Sequence, residues 1–222
     1  MKLNLREVLW CFLFKIKPIR LLIFYNNKRY KDKLNLLNNL NLNKNSIVID
    51  IGANNGVVSH YLFDKYSCYI HSFEPNPYCY SILKNIFKNN PKIKIYNKAI
   101  SNTSKKQNLY FSKKLNHIKN MSLSEISSLE KKKTNISLSK FIKVQCLCIG
   151  ELINKFNYID FIKIDIEGHE YKIIPFLIKN INKIGKIFCE MHGSTHRKEF
   201  KKDFQYWDIK LKSLKNKKFI YW

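Results

Sequence analysis

The run Ile47-Val48-Ile49-Asp50-Ile51 stops at Gly52, and a short β-branched run closed by Gly, Pro or an acid returns several times along the chain. Runs of this length and character are strands buried on both faces, the mark of a parallel sheet. Between them the apolar spacing turns helical. Val57, Val58, Tyr61 and Leu62 follow the first run, and Tyr78, Ile82, Leu83 and Ile86 follow the second, Cys68 to Phe73, which Glu74-Pro75 closes. Asn76 is placed to cap that second helix, with Pro77 at its first position. Ile93 to Tyr96 makes a third strand. Strands alternating with helices predict an α/β fold with helices on both faces of a mostly parallel sheet.

The second half repeats the theme. Ile159 to Ile164 reads as a strand ending at Asp165, Gly168 to Ile181 as a helix, and Ile184 to Cys189 as a strand ending at Glu190. Arg197 to Leu214 is predicted helical and Phe219 to Trp222 a terminal strand. In the middle, Leu109 to Phe111 and Val144 to Cys148 look like strands. Between them, Ser112 to Lys143 carries eight Lys and two Glu and reads as an exposed loop with broken helix.

Residues 1–45 differ from the rest and are expected to form a helical extension, leaving 46–222 as the single large domain. Val8 to Phe14 and Leu21 to Tyr25 are apolar, but Lys15, Lys17, Pro18 and Arg20 separate them. Neither run approaches the ~20 apolar residues of a membrane span, and no small-residue cleavage site follows. A packed helical extension is favoured over an interfacial anchor through residues 1–30, which would make the protein membrane-peripheral. Six Cys without a signal peptide fit a reduced, cytoplasmic protein.

The net charge of +25 needs care, because 37 of the 41 cations are Lys and only 4 are Arg, alongside 26 Asn. Base readers favour Arg for its bidentate fork, so a solvated Lys surface is preferred to a nucleic-acid footprint.

In an open parallel sheet, ligands bind beyond the carboxyl ends of the strands. The first strand ends Asp50-Ile51-Gly52-Ala53-Asn54-Asn55-Gly56, a Gly-rich turn that is neither a dinucleotide GxGxxG nor a phosphate loop. Glu74 ends the second strand, 22 residues after Gly52, where an acid can accept both hydroxyls of a ribose.

Taken in order, IDIGANNG, FEPNP, KAIS and FIKIDIEGHE resemble the FkbM-type family of S-adenosylmethionine-dependent methyltransferases, over about two thirds of the chain from Ser46 to His192. The resemblance implies a class I methyltransferase (Rossmann-like) fold of seven strands, six parallel and the last antiparallel. It implies a cofactor site in which Asp50, Gly52, Ala53, Asn54 and Gly56 line the methionine moiety. Glu74 would bind the ribose, Pro75 and Asn76 would shape the adenine pocket, and Ala99, Ile100 and Ser101 would flank the adenine. Two positions depart from the family pattern. Cys148-Ile149-Gly150 replaces a Thr-Leu-Asp-like turn, and Phe176 stands where a Gly often follows the Glu-Gly-x-Glu helix.

The family's chemistry implies O-methylation of a hydroxyl on a glycan or small metabolite. A positioned base would remove the hydroxyl proton, and Asp165, His192 and Glu190 are the candidates, with Glu167 next. Asp165, Glu167, Glu190 and His192 would suit a divalent metal such as Mg or Mn, but their spacing does not demand one and none is assigned. The rival readings are an RNA methyltransferase using the basic surface and a non-catalytic cofactor-fold protein at a membrane surface. The acceptor and the oligomeric state are not readable from the sequence.

Overall fold

The computed structural model describes residues 34–113, 127–193, 198–214 and 218–221. Residues 1–33, which hold most of the expected extension, lie outside them.

Six strands form one sheet in the order β3-β2-β1-β7-β8-β9, with every neighbouring pair parallel. They are β1 (Ile47–Ile51), β2 (Tyr69–Phe73), β3 (Ile93–Tyr96), β7 (Ile159–Ile164), β8 (Ile184–Cys189) and β9 (Phe219–Tyr221). The chain winds outward from β1 in one direction, then restarts at β7 and winds the other way. The switch point therefore lies between β1 and β7, where a doubly wound sheet opens its ligand crevice. The α/β class is the expected one.

Helices α1 (Val57–Tyr66) and α2 (Pro77–Phe87) cover one face of the sheet. Val57, Tyr61, Leu62, Ile82 and Leu83 bury there with Val48 and Ile70, and Leu34, Leu37 and Leu40 join the same cluster. Asn76 caps α2 as its sequence suggests, accepting the Tyr78 N–H at 3.0 Å. The other face carries α3 (Ile149–Ile153), α4 (Glu170–Lys179) and α5 (Lys201–Ser213). There Ile49, Ile162, Ile173, Ile174, Leu177 and Ile187 form the second core.

A smaller sheet of order β4-β6-β5 stands beside the main one. It holds β4 (Ala99–Ser101), β5 (Lys106–Ser112) and β6 (Ile136–Cys148).

Several expectations are corrected. Among the described residues the main sheet has six strands, not seven, and none is antiparallel; β9 pairs with β8 in parallel because α5 carries the chain back to the sheet's starting edge. The stretch expected to be loop up to Lys143 is strand from Ile136, paired antiparallel with β5. Most of its side chains from Ser137 to Lys143 face solvent, so its composition is that of a surface ribbon. The helix expected from Gly168 starts at Glu170, after a turn in which Glu167 and Gly168 have φ of 57° and 103°. The two family departures meet in space: a Cβ on Gly150 would stand 3.4 Å from the Phe176 ring. The small residue of α3 makes room for the large one of α4.

Candidate functional site

The turn after β1 is held from both sides of the sheet. The N–H groups of Gly52 and Ala53 donate to the Phe73 carbonyl at 3.0 and 3.1 Å, and the Lys163 ammonium donates to the Gly52 carbonyl at 2.7 Å. Gly52 has φ of 76°, and a Cβ there would lie 1.9 Å from the Asp165 backbone oxygen, so only glycine lets the turn cross the end of β7. Asp50 lies beneath the turn with no exposed surface. It accepts the Ser59 hydroxyl at 2.6 Å and faces the Lys163 ammonium at 3.3 Å.

Beyond these strand ends a cleft opens. Gly52, Ala53, Asn54, Glu74, Pro75, Ala99, Ile100, Lys163, Asp165, Glu167 and His169 are on its wall, together with Ser127, Ser128 and Leu129 from the segment before β6. Glu74 is the wall's most constrained acid. One carboxylate oxygen accepts the Asn54 N–H and the other the Asn76 N–H, both at 2.8 Å. Burial pushes its pKa up to about 7, against the opposing pull of those two N–H groups and of Lys163.

The end of β7 is clasped by the segment 127–135. Ser128 donates its hydroxyl to the Glu167 carbonyl at 2.8 Å, and the Lys133 ammonium lies 2.6 Å from the Glu167 carboxylate. His169 meets Glu130 through Nδ1 at 2.7 Å and the Ser101 hydroxyl through Nε2 at 2.9 Å. Burial would raise the Glu167 pKa, but His192 and Lys133 outweigh it and hold the carboxyl below its ordinary value.

Behind that clasp, Glu170 is fully buried and accepts the Gly168 N–H at 2.7 Å. Its other oxygen meets His192 Nδ1 at 2.5 Å, while His192 Nε2 is 3.4 Å from Glu167. Burial alone would lower the His192 pKa; the carboxylates of Glu170 and Glu167 overcome it and raise it to about 11. Asp165 and Glu190 approach the same ring, one ligand-type atom of each residue lying within 4.8 Å of the others.

The structure thus divides the expected site residues. Gly52, Ala53, Asn54, Glu74, Pro75, Ala99, Ile100 and Asp165 share the cleft wall. Asp50, Gly56, Asn76 and Ser101, expected to touch the cofactor, are set behind it, each with a structural task. Asp50 anchors Lys163, Asn76 caps α2, and Ser101 bonds His169. Gly56 allows α1 to approach α2, since a Cβ on it would meet Leu83 at 2.6 Å. Glu190 and His192 converge with Asp165 but are not on the wall. The stretch from Ser112 to Lys143 does supply part of the wall, but its sequence singles out neither Lys133 nor Ser127 to Leu129, because Lys and Ser in a polar stretch carry no sign of burial.

A doubly wound parallel sheet with an acid-lined cleft at its switch point is the architecture of the Rossmann-like class, which binds its ligands at that crevice. Residues 50–220 match the profile of the Methyltransferase FkbM domain, and the chain belongs to that family. Five chains of solved structures match as well. One is the FkbM methyltransferase of Methylobacillus flagellatus KT, 14% identical with a TM-score of 0.48, over 78% of this chain. This chain spans only 39% of that protein's length. No curated protein matches. Among the described residues, no helix is long and apolar enough to cross a membrane.

The family's chemistry is methyl transfer, for which S-adenosylmethionine is the usual donor, and the cleft fits it. Each Glu74 oxygen uses one lone pair on a backbone N–H and keeps another, so the carboxylate can still accept the two hydroxyls of a ribose.

Proposed function

We propose that the protein is an S-adenosylmethionine-dependent O-methyltransferase acting on an uncharged hydroxyl acceptor, a glycan or a small metabolite. The observation that carries this reading is that Glu74 and Asp165, at the ends of the two strands flanking β1 and its glycine turn, line one cleft.

S-adenosylmethionine supplies a methyl group made electrophilic by its sulfonium. Glu74 holds the ribose hydroxyls, the main chain of Gly52 to Asn54 borders the methionine portion, and Ala99 with Ile100 offers an apolar edge to the adenine. A carboxylate oxygen of Asp165 takes the proton that the acceptor hydroxyl loses as its oxygen is methylated. Asp165 suits this role better than His192, the other leading candidate for the base. His192 stands off the wall, whereas Asp165 is on it. Ser127, Ser128 and Leu129 would meet the acceptor.

Besides Glu74, the wall carries the carboxylates of Asp165 and Glu167, which disfavour a phosphate-bearing acceptor, although the chain as a whole is strongly basic. The test is to incubate the protein with donor carrying a tritiated methyl group and with oligosaccharide, polyol or RNA acceptors. Alkali-stable label in a carbohydrate or polyol is expected. Label in RNA alone would overturn the reading.

A further inference from the structure

We propose that Asp165, Glu190 and His192 form a binding site for a divalent cation of the Mn²⁺ or Mg²⁺ kind at the acceptor end of the cleft. Asp165 follows β7, and Glu190 and His192 follow its parallel neighbour β8, so the sheet itself brings the three together. One carboxylate oxygen of each acid and one ring nitrogen of His192 lie within 4.8 Å of one another. Ligand atoms ~2.0–2.2 Å from a six-coordinate ion stand about 3–4 Å apart, so small side-chain rotations close the set. Two carboxylate oxygens with one imidazole nitrogen suit Mn²⁺ above the softer metals.

The orientation of His192 is a separate argument. Its side chain is more than nine-tenths buried, at 7% exposure, and Nδ1 is held by Glu170, a carboxylate with no exposed surface of its own. Glu170 is fixed in turn by the Gly168 N–H. A buried carboxylate on one ring nitrogen sets the tautomer and presents the other nitrogen outward, as metal-binding histidines require. Here that other nitrogen, Nε2, has Glu167 at 3.4 Å, longer than the ~2.7–2.9 Å of a charge-assisted hydrogen bond.

Charge points the same way. The chain has 16 acids against 41 Lys and Arg, yet Asp165, Glu167, Glu170 and Glu190 gather around this one ring. Lys133 reaches the group at Glu167. Lys163, on the cleft wall, is turned towards Asp50 and the Gly52 carbonyl. The ion's use, drawing an acceptor hydroxyl to Asp165 and lowering its pKa, rests on the methyltransferase reading; its binding does not.

The experiment takes the full chain, stripped with chelator and dialysed, and titrates it with MnCl₂ while electron paramagnetic resonance follows free Mn²⁺. One ion per chain is expected. Asp165→Asn and Glu190→Gln should each weaken its binding at least ~10-fold, and Glu170→Gln ~10–100-fold by releasing the ring. Absence of binding at millimolar Mn²⁺, or a site unchanged in Asp165→Asn and Glu190→Gln, would overturn the proposal. Calorimetry with S-adenosylhomocysteine on the same samples reports the nucleoside half of the cleft separately. Mn²⁺ bound by a protein that ignores the nucleoside would sink the methyltransferase reading and uphold the ion site.

Discussion

Lys133 buries its whole side chain and sets its ammonium 2.6 Å from the Glu167 carboxylate, across 34 residues of chain. The pair fastens the segment before β6 to the turn after β7. Glu167 holds a left-handed backbone there, with φ of 57°, which costs a non-glycine residue about 1 kcal/mol. Ser128 on the Glu167 carbonyl and Glu130 on His169 complete the clasp. Ser127 to Leu129 are thereby kept as a wall of the cleft.

Replacing Lys133 by Met keeps the volume and removes the charge. Breaking a buried ion pair leaves a stranded carboxylate, so a loss of about 3 kcal/mol is expected, the low end of the usual range because His192 still faces Glu167. Urea titration at pH 7 measures it. A loss below about 1 kcal/mol would mean that the pair does not hold the clasp.

Gly52→Ala tests the crossing of the first turn over β7. The new Cβ would lie 1.9 Å from a backbone oxygen, which no side-chain rotation relieves, and φ is 76°. At least about 3 kcal/mol should be lost. Gly56→Ala should cost less, since its Cβ would meet Leu83 and Phe87 side chains that can shift. Equal melting temperatures for the two variants would contradict this account.

How far the sequence could be read follows from the same residues. Strands β1, β2, β3, β7 and β8 are legible because buried parallel strands must be short β-branched runs, and their ends locate Gly52, Glu74 and Asp165. Lys133 is not legible. It closes the run Lys131-Lys132-Lys133, in which the first two are exposed and only the third turns inward. Nor does the sequence show that Glu170 meets His192, 22 residues on, and so decides what that ring can do. The first half of β6 was missed because a strand whose side chains mostly face water has the composition of a loop.

Gly150 and Phe176 should behave as a coupled pair. Gly150 lies in α3 with room for a methyl group at 3.4 Å from the Phe176 ring, so Gly150→Ala should be neutral or stabilise by up to about 1 kcal/mol through helix propensity. Gly150→Leu should cost more than about 1 kcal/mol beside Phe176 and much less beside Phe176→Ala. A double-mutant cycle gives the coupling, and additive losses would show that the two positions do not share space.

Glu74 predicts opposite pH slopes for stability and for cofactor binding. Its folded pKa, raised to about 7, lies above that of an unfolded Glu. The folded chain therefore binds the extra proton, and this stabilising contribution is complete below the unfolded pKa and lost as pH rises through 7. Ribose hydroxyls donate, so they favour the carboxylate, and nucleoside binding should release a proton below pH 7. Affinity for S-adenosylhomocysteine should accordingly rise from pH 6 to pH 8, at most ~10-fold per pH unit below 7. Glu74→Gln should weaken binding by about 1–3 kcal/mol at pH 8 and flatten the profile, because the amide accepts poorly and does not titrate. Calorimetry in two buffers of different ionisation enthalpy measures affinity and proton release together. Equal wild-type affinity at pH 6 and pH 8, with no proton released, would place the ribose away from Glu74.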